Sequence, residues 1–118
     1  MKHQLSKMLE MASRLCDDEK YIQALKYYET ILQIESDNVV AIIDYGVTLQ
    51  NLGRLRQALK MYERALSIEP KNLDAQINMG SVLHSLQKYT KAISCYNVVL
   101  DFDKKNTMAL AYKGLSLG

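Results

Sequence analysis

The chain has 118 residues, 48% of them hydrophobic and 24% charged, with one Pro, five Gly and a formal net charge of +2. That length and apolar share suit one compact domain with its own core, and the abundance of Leu, Ala, Lys, Glu and Gln favours helix throughout. So small a charge argues against nucleic acid or an anionic membrane as partner, and no apolar run approaches the roughly 18–20 residues that span a bilayer.

In chain order, the opening stretch MKHQLSKMLEMASRL carries charges throughout and lacks an apolar h-region, so it does not read as a secretory signal. Past it, a register appears. Ala24, Ala58 and Ala92 recur every 34 residues, as do Tyr28, Tyr62 and Tyr96, then Leu32, Leu66 and Leu100. Leu15, Leu49, Leu83 and Leu117 keep the same step, as do Asn38, Asn72 and Asn106, and Gly46, Gly80 and Gly114 with Ala12 one step earlier. The repeats run over about 5–38, 39–72 and 73–106, and a partial repeat or capping helix fills 107–118.

Inside the second repeat, Ile42, Tyr45, Gly46, Leu49 and Leu52 form one helical stripe, and Leu55, Ala58, Leu59, Tyr62, Ala65 and Leu66 form another. The NLGR stretch breaks the chain between them, and EPKN ends the second with a proline that cannot continue a helix. Asn38, Asn72 and Asn106 stand where the next first helix begins, a favoured N-cap residue. Each unit is expected to be a helical hairpin of two roughly 13-residue helices, too short to be stable without stacking. Gly46 costs its helix about 1 kcal/mol against Ala. Its offset is expected to be close approach of the two backbones opposite the small Ala58, with Tyr45, Leu49 and Tyr62 closing around it.

The pattern Ile42-x2-Tyr45-Gly46-x2-Leu49, Ala58-x3-Tyr62, Pro70 resembles the tetratricopeptide repeat. The third unit fits through Gln76, Met79, Gly80, Leu83, Ala92 and Tyr96 but has Lys104 for the proline; the first fits through Leu15, Ala24 and Tyr28, with Ala12 for the glycine and Ser36 for the proline. The resemblance implies an all-α, right-handed solenoid of stacked antiparallel hairpins. Its concave face, lined by the first helix of each hairpin, would hold a partner peptide or helix.

Catalysis finds little support. His3 and His84 are the only histidines, and neither stands at metal-ligand or nucleophile–base spacing. The glycines form no phosphate-cradling loop, and no cofactor or metal is expected. Glu10, Asp44 and Asp74 read as solvated carboxylates on separate helices. The repeating tyrosines read as core and the scattered methionines as gap-fillers. Cys16 and Cys95 show no CxxC or Cys/His spacing and read as free thiols, which places the protein in the cytoplasm. Lys20, Arg54 and Lys88 form a ladder at the turn inside each hairpin, and Glu35, Glu69 and Asp103 another at the far end. Helix-dipole compensation and solubility account for both ladders, and the basic edge, extended by Arg56 and Lys91, also suits contact with an acidic partner.

A helical wheel leaves Val40, Ile43, Asp44, Val47 and Asn51 on the free face of the second unit's first helix. Leu9, Glu10 and Ser13 correspond in the first unit, Asp74, Ile77, Asn78 and Ser81 in the third, and Tyr112 in the last. These residues are the candidate peptide-binding groove, apolar at its centre and acidic at its edges. Leu9, Ile43 and Ile77 also suit gap-filling between successive first helices. Some relatives grip a chaperone's C-terminal carboxylate with Lys, Asn and Arg. The matching places here hold Leu9, Ser13, Asp44, Asp74 and Asn78, of which only Asn78 fits, so that clamp is not expected. At the far end Leu110 and Leu117 lie on the stripe that a following helix would cover, making self-association the alternative role. The expected function is therefore a non-enzymatic scaffold for another protein.

Overall fold

The computed structural model describes residues 2–117, Lys2 by its backbone alone, and consists of seven helices. They are α1 (Lys2–Asp17), α2 (Tyr21–Ile34), α3 (Val39–Asn51), α4 (Leu55–Ile68), α5 (Leu73–Ser85), α6 (Tyr89–Phe102) and α7 (Thr107–Leu117). Each helix packs on the next, giving three hairpins and a final first helix in an array of 43 × 25 × 21 Å. Successive first helices, α3 with α5 and α5 with α7, also touch. Second helices make no comparable contacts with one another, so the array curves with its first helices inside.

Local chemistry sets the ends of the helices. Asn38, Asn72 and Asn106 accept from the backbone N–H groups of Ala41, Ala75 and Ala109 at 3.0, 3.0 and 2.9 Å. A cap of this kind contributes about 1 kcal/mol. The acidic ladder has a part in it, because Asn38 and Asn72 donate through Nδ2 to the Glu35 and Glu69 carboxylates at 3.2 and 3.0 Å. Second helices stop at the same register with or without a proline: α4 precedes Pro70, whereas α2 and α6 end before Ser36 and Lys104.

Each of α1, α3 and α5 closes in a Schellman motif. The amides of Lys20, Arg54 and Lys88 reach back to the carbonyls of Leu15, Leu49 and Leu83, and those of Glu19, Gly53 and Gln87 to Cys16, Gln50 and His84. The residue at the bend is left-handed in all three, with φ of 60° at Glu19, 76° at Gly53 and 64° at Gln87. Only one is the glycine that tolerates this conformation without strain.

The core follows the 34-residue register. Tyr28, Tyr62 and Tyr96 are fully buried, with Ala24, Ala58 and Ala92 beside them on the second helices. What offsets Gly46 differs from the expectation. A Cβ at Gly46 would stand 2.7 Å from Tyr62 Cε1, so the glycine makes room for the tyrosine ring and not for the Ala58 backbone. Gly80 accommodates Tyr96 in the same way. Nothing lies within 4 Å of a Cβ at Gly114, where α7 has no second helix against it.

Candidate functional site

The inner face presents the first helices side by side. Val40 is 59% exposed and Val47 36%, while Glu10, Ser13, Asn51 and Asp74 are also exposed. Leu9, Ile43, Asp44, Asn78, Ser81 and Tyr112 are half-buried. Ile77 leaves the open face altogether. It is buried in a cluster with Tyr96 and Ala109, and Tyr112 packs against that cluster. The residue one period before Tyr112 is Asn78, too short to give Ile43 the same cover. Leu9 and Ile43 pack against clusters holding Ala41 and Ala75 of the following first helices, so this row mainly stacks the hairpins.

A row of polar side chains at another register runs beneath the open face. Tyr62 donates to Gln50 Oε1 at 2.9 Å, and Gln50 Nε2 donates to Ser81 Oγ at 3.2 Å, joining the second hairpin to the third. One period earlier, Cys16 Sγ lies 3.4 Å from Thr48 Oγ1 and 3.9 Å from the Tyr28 hydroxyl. Thr48 already donates to the Asp44 carbonyl at 2.8 Å, so the thiol is the donor to Thr48. One period later, His84 Nδ1 and Ser116 Oγ are 2.9 Å apart. The Tyr96 hydroxyl is left buried without a partner, with the Tyr112 ring stacked 5.7 Å away. Burial pushes the Tyr96 hydroxyl up to about 12, and burial followed by the nearby Asp44 charge raises Tyr28 and Tyr62 as well. All three phenols stay neutral. The wheel omitted Cys16, Gln50 and His84 because their chemistries differ, although they share the 34-residue step.

Asp44 is the charged group set deepest in this face. Burial raises its carboxyl above the usual range, and no cation contributes to lowering it. Among the described residues, none hydrogen-bonds its carboxylate. The exposed Val40 and Val47 lie one turn to either side of it on α3. This arrangement favours an incoming cation flanked by apolar groups. It offers no nucleophile–base pair, and among the described residues no cluster of His, Cys, Asp or Glu is arranged to hold a metal ion. At the C-terminal end Leu110, Leu115 and Leu117 are 50%, 63% and 67% exposed. Among the described residues no helix is long and apolar enough to cross a membrane.

The fold is shared with solved helical-repeat structures, two of the following three in complex with peptides. The first TPR domain of human RPAP3 superposes with a TM-score of 0.93 at 19% identity, over 99% of this chain and 92% of that one. The second TPR domain of human RPAP3, in complex with the HSP70 peptide SGPTIEEVD, gives 0.92 at 15% identity over 99% and 98%. The Yersinia enterocolitica type III secretion chaperone SycD, in complex with a peptide of the translocator YopD, gives 0.90 at 13% identity over 98% and 93%. No curated protein matches the sequence. The tetratricopeptide repeat family model matches residues 15–62 and 52–113. The 34-residue register, the stacked hairpins and this match agree, and the chain belongs to the tetratricopeptide repeat family.

Proposed function

We propose that the chain is a non-enzymatic scaffold that holds an extended or helical segment of another protein against its inner face. The unpartnered, half-buried Asp44 carries this reading. A carboxylate drawn partly out of water is costly until a cation and hydrogen bonds compensate it. A Lys or Arg of the partner supplies both, with apolar neighbours resting on Val40 and Val47. Asn51 and Asn78 would meet the partner's backbone, while Glu10 and Asp74 add negative charge at the edges. The peptide complexes formed by the human and Yersinia structures support the class of function. No cofactor, nucleic acid or membrane takes part in this reading, and its setting is the cytoplasm.

Amide-shift titration with two peptides tests the proposal. One carries Leu and Lys in alternation; the other is the acidic SGPTIEEVD. The basic peptide should move the α3 and α5 amides and lose its effect in Asp44→Lys. The acidic one should leave the inner-face amides of Asp44 and Asn78 in place, since Asp44 and Asp74 repel it. Acidic-peptide shifts centred on Asp44 and Asn78 would reverse the assignment.

Self-association is the second reading, favoured by the exposed Leu110 and Leu117 on either side of the open Gly114. Two α7 helices can approach closely there because glycine has no side chain. Light scattering over a concentration series should then show dimers that Leu110→Glu with Leu117→Glu abolishes. A wild-type mass that stays monomeric at every concentration excludes it.

A further inference from the structure

Away from the groove lie two hollows, one between α4 and α6 and one at the α3–α4 turn. One is a cleft of about 400 Å³, floored by Met79 and Leu83 of α5 and walled by Leu59 of α4 and Cys95 of α6, with Lys88 and Lys91 at its lip. The other, of about 360 Å³, lies at the hairpin turn and is lined by Arg54, Arg56, Leu55 and Leu86. Leu55, Leu59, Leu86 and Met79 pack on one core cluster, so an apolar strip connects the two hollows. All four cations along this strip are exposed.

Arg54 and Lys88 have Lys20 as their counterpart in the first hairpin, but Ile22 and Gln23 stand at the registers of Arg56 and Lys91, so the repeat does not require those two cations. The cleft floor also departs from the repeat. One junction earlier, Tyr45 donates to Glu29 at 3.1 Å across the equivalent position. The residues one period on are Met79 and Glu63, so the acid is kept while its phenol partner is replaced by a flexible thioether. Glu63 is the single carboxylate lining the cleft, against two lysines. Across both hollows four cations face it, and the trough is basic.

We infer that this trough is a second docking site, distinct from the groove, for an acidic partner segment with apolar residues between its carboxylates. Apolar side chains enter over Met79 and Leu83, a floor that a methionine lets adjust to their shape. Carboxylates spaced along the segment meet Arg54 and Arg56 at one end and Lys88 and Lys91 at the other. Opposite charge signs on the two faces let one chain hold two segments at once, a basic one inside and an acidic one outside.

The probe is a fluorescent 12-residue peptide of alternating Asp and Leu, with its Lys-for-Asp counterpart as control. The acidic peptide should shift the amides of the α3–α4 and α5–α6 turns and the Met79 methyl. Lys88→Glu with Lys91→Glu, both at exposed positions, should weaken it about tenfold or more, and raising salt from about 50 to about 300 mM should weaken it further. Asp44→Asn should leave it unchanged, which separates this site from the groove. The inference is overturned by undetectable binding, by shifts confined to the inner face, or by a double variant that binds as well as wild type. It is also overturned if the same variant abolishes a salt-sensitive dimer that the peptide does not compete with, because the occupant is then a second copy.

Discussion

The sharpest perturbation is a single methyl group placed at either of two equivalent glycines, Gly46 and Gly114. In Gly46→Ala the new Cβ meets Tyr62 Cε1 at 2.7 Å and the neighbouring ring carbons at 3.1 Å, well inside van der Waals contact. The ring cannot swing aside, since Tyr62 is fully buried and its hydroxyl is tied to Gln50, which is itself tied to Ser81. Overpacking of this kind costs about 1–3 kcal/mol, and a ring forced off its hydrogen bond loses about 1 more. The better helix propensity of Ala returns about 1 kcal/mol. The net expectation is a loss of about 1–3 kcal/mol, or roughly 4–12 °C in Tm for a domain of this size. At Gly114 the same substitution meets nothing within 4 Å, so only the propensity gain is left and stability should rise by up to about 1 kcal/mol. Urea melts of wild type, Gly46→Ala, Gly114→Ala and the double variant Gly46→Ala/Tyr62→Leu decide it, since a smaller side chain at position 62 should reduce the cost of the first. Equal losses at Gly46 and Gly114 would refute the ring-clasp explanation.

Tyr62→Phe should cost about 1 kcal/mol, whereas Tyr96→Phe, which removes an unpartnered buried hydroxyl, should be neutral or stabilising; paired thermal melts compare them. Glu19→Gly and Gln87→Gly should each stabilise by about 0.5–1 kcal/mol because both residues hold left-handed backbone, and Gly53→Ala should destabilise by about 1. Asp44→Asn should raise Tm at pH 7. With a folded carboxyl raised by burial, Asp44 is less costly below its unfolded value and the penalty grows as pH climbs through the raised one, so the gain should vanish near pH 3. A gain of equal size at both pH values would show that charge is not the cause.

The fold was legible because one period fixes several independent features at once. Apolar stripes of helical spacing, asparagines at each N-cap and a break inside each hairpin all recur at the same step, and a single array satisfies them. Pro70 was the misleading mark. Its counterparts Ser36 and Lys104 follow helices of the same length, so the stop comes from the asparagine-capped start of the next helix and not from the missing amide. The contact at Gly46 was legible only in part. Sequence names the small residue but not which large neighbour takes the vacated volume, because that depends on the direction in which Tyr62 leaves its own helix.

The candidate groove was harder to read, for a physical reason. Periodicity reports which face of a helix looks inward, whereas exposure depends on the residue that the next repeat lays across it. Ile43 and Ile77 share a register, yet only Ile77 lies beneath a tyrosine from the following helix. The polar row was hidden for the opposite reason, since Cys16, Gln50 and His84 have no property in common that a hydropathy pattern records. What unites them is the hydroxyl they face: each sits at the place where the buried tyrosine of its hairpin, or a Ser or Thr of the next, needs a partner. That need also separates binding from stacking. Gln50 and Ser81 spend hydrogen bonds on each other and hold two hairpins together, so a ligand that took them would loosen the array. Asp44 has no such commitment, and a cation brought to it adds an interaction without breaking one.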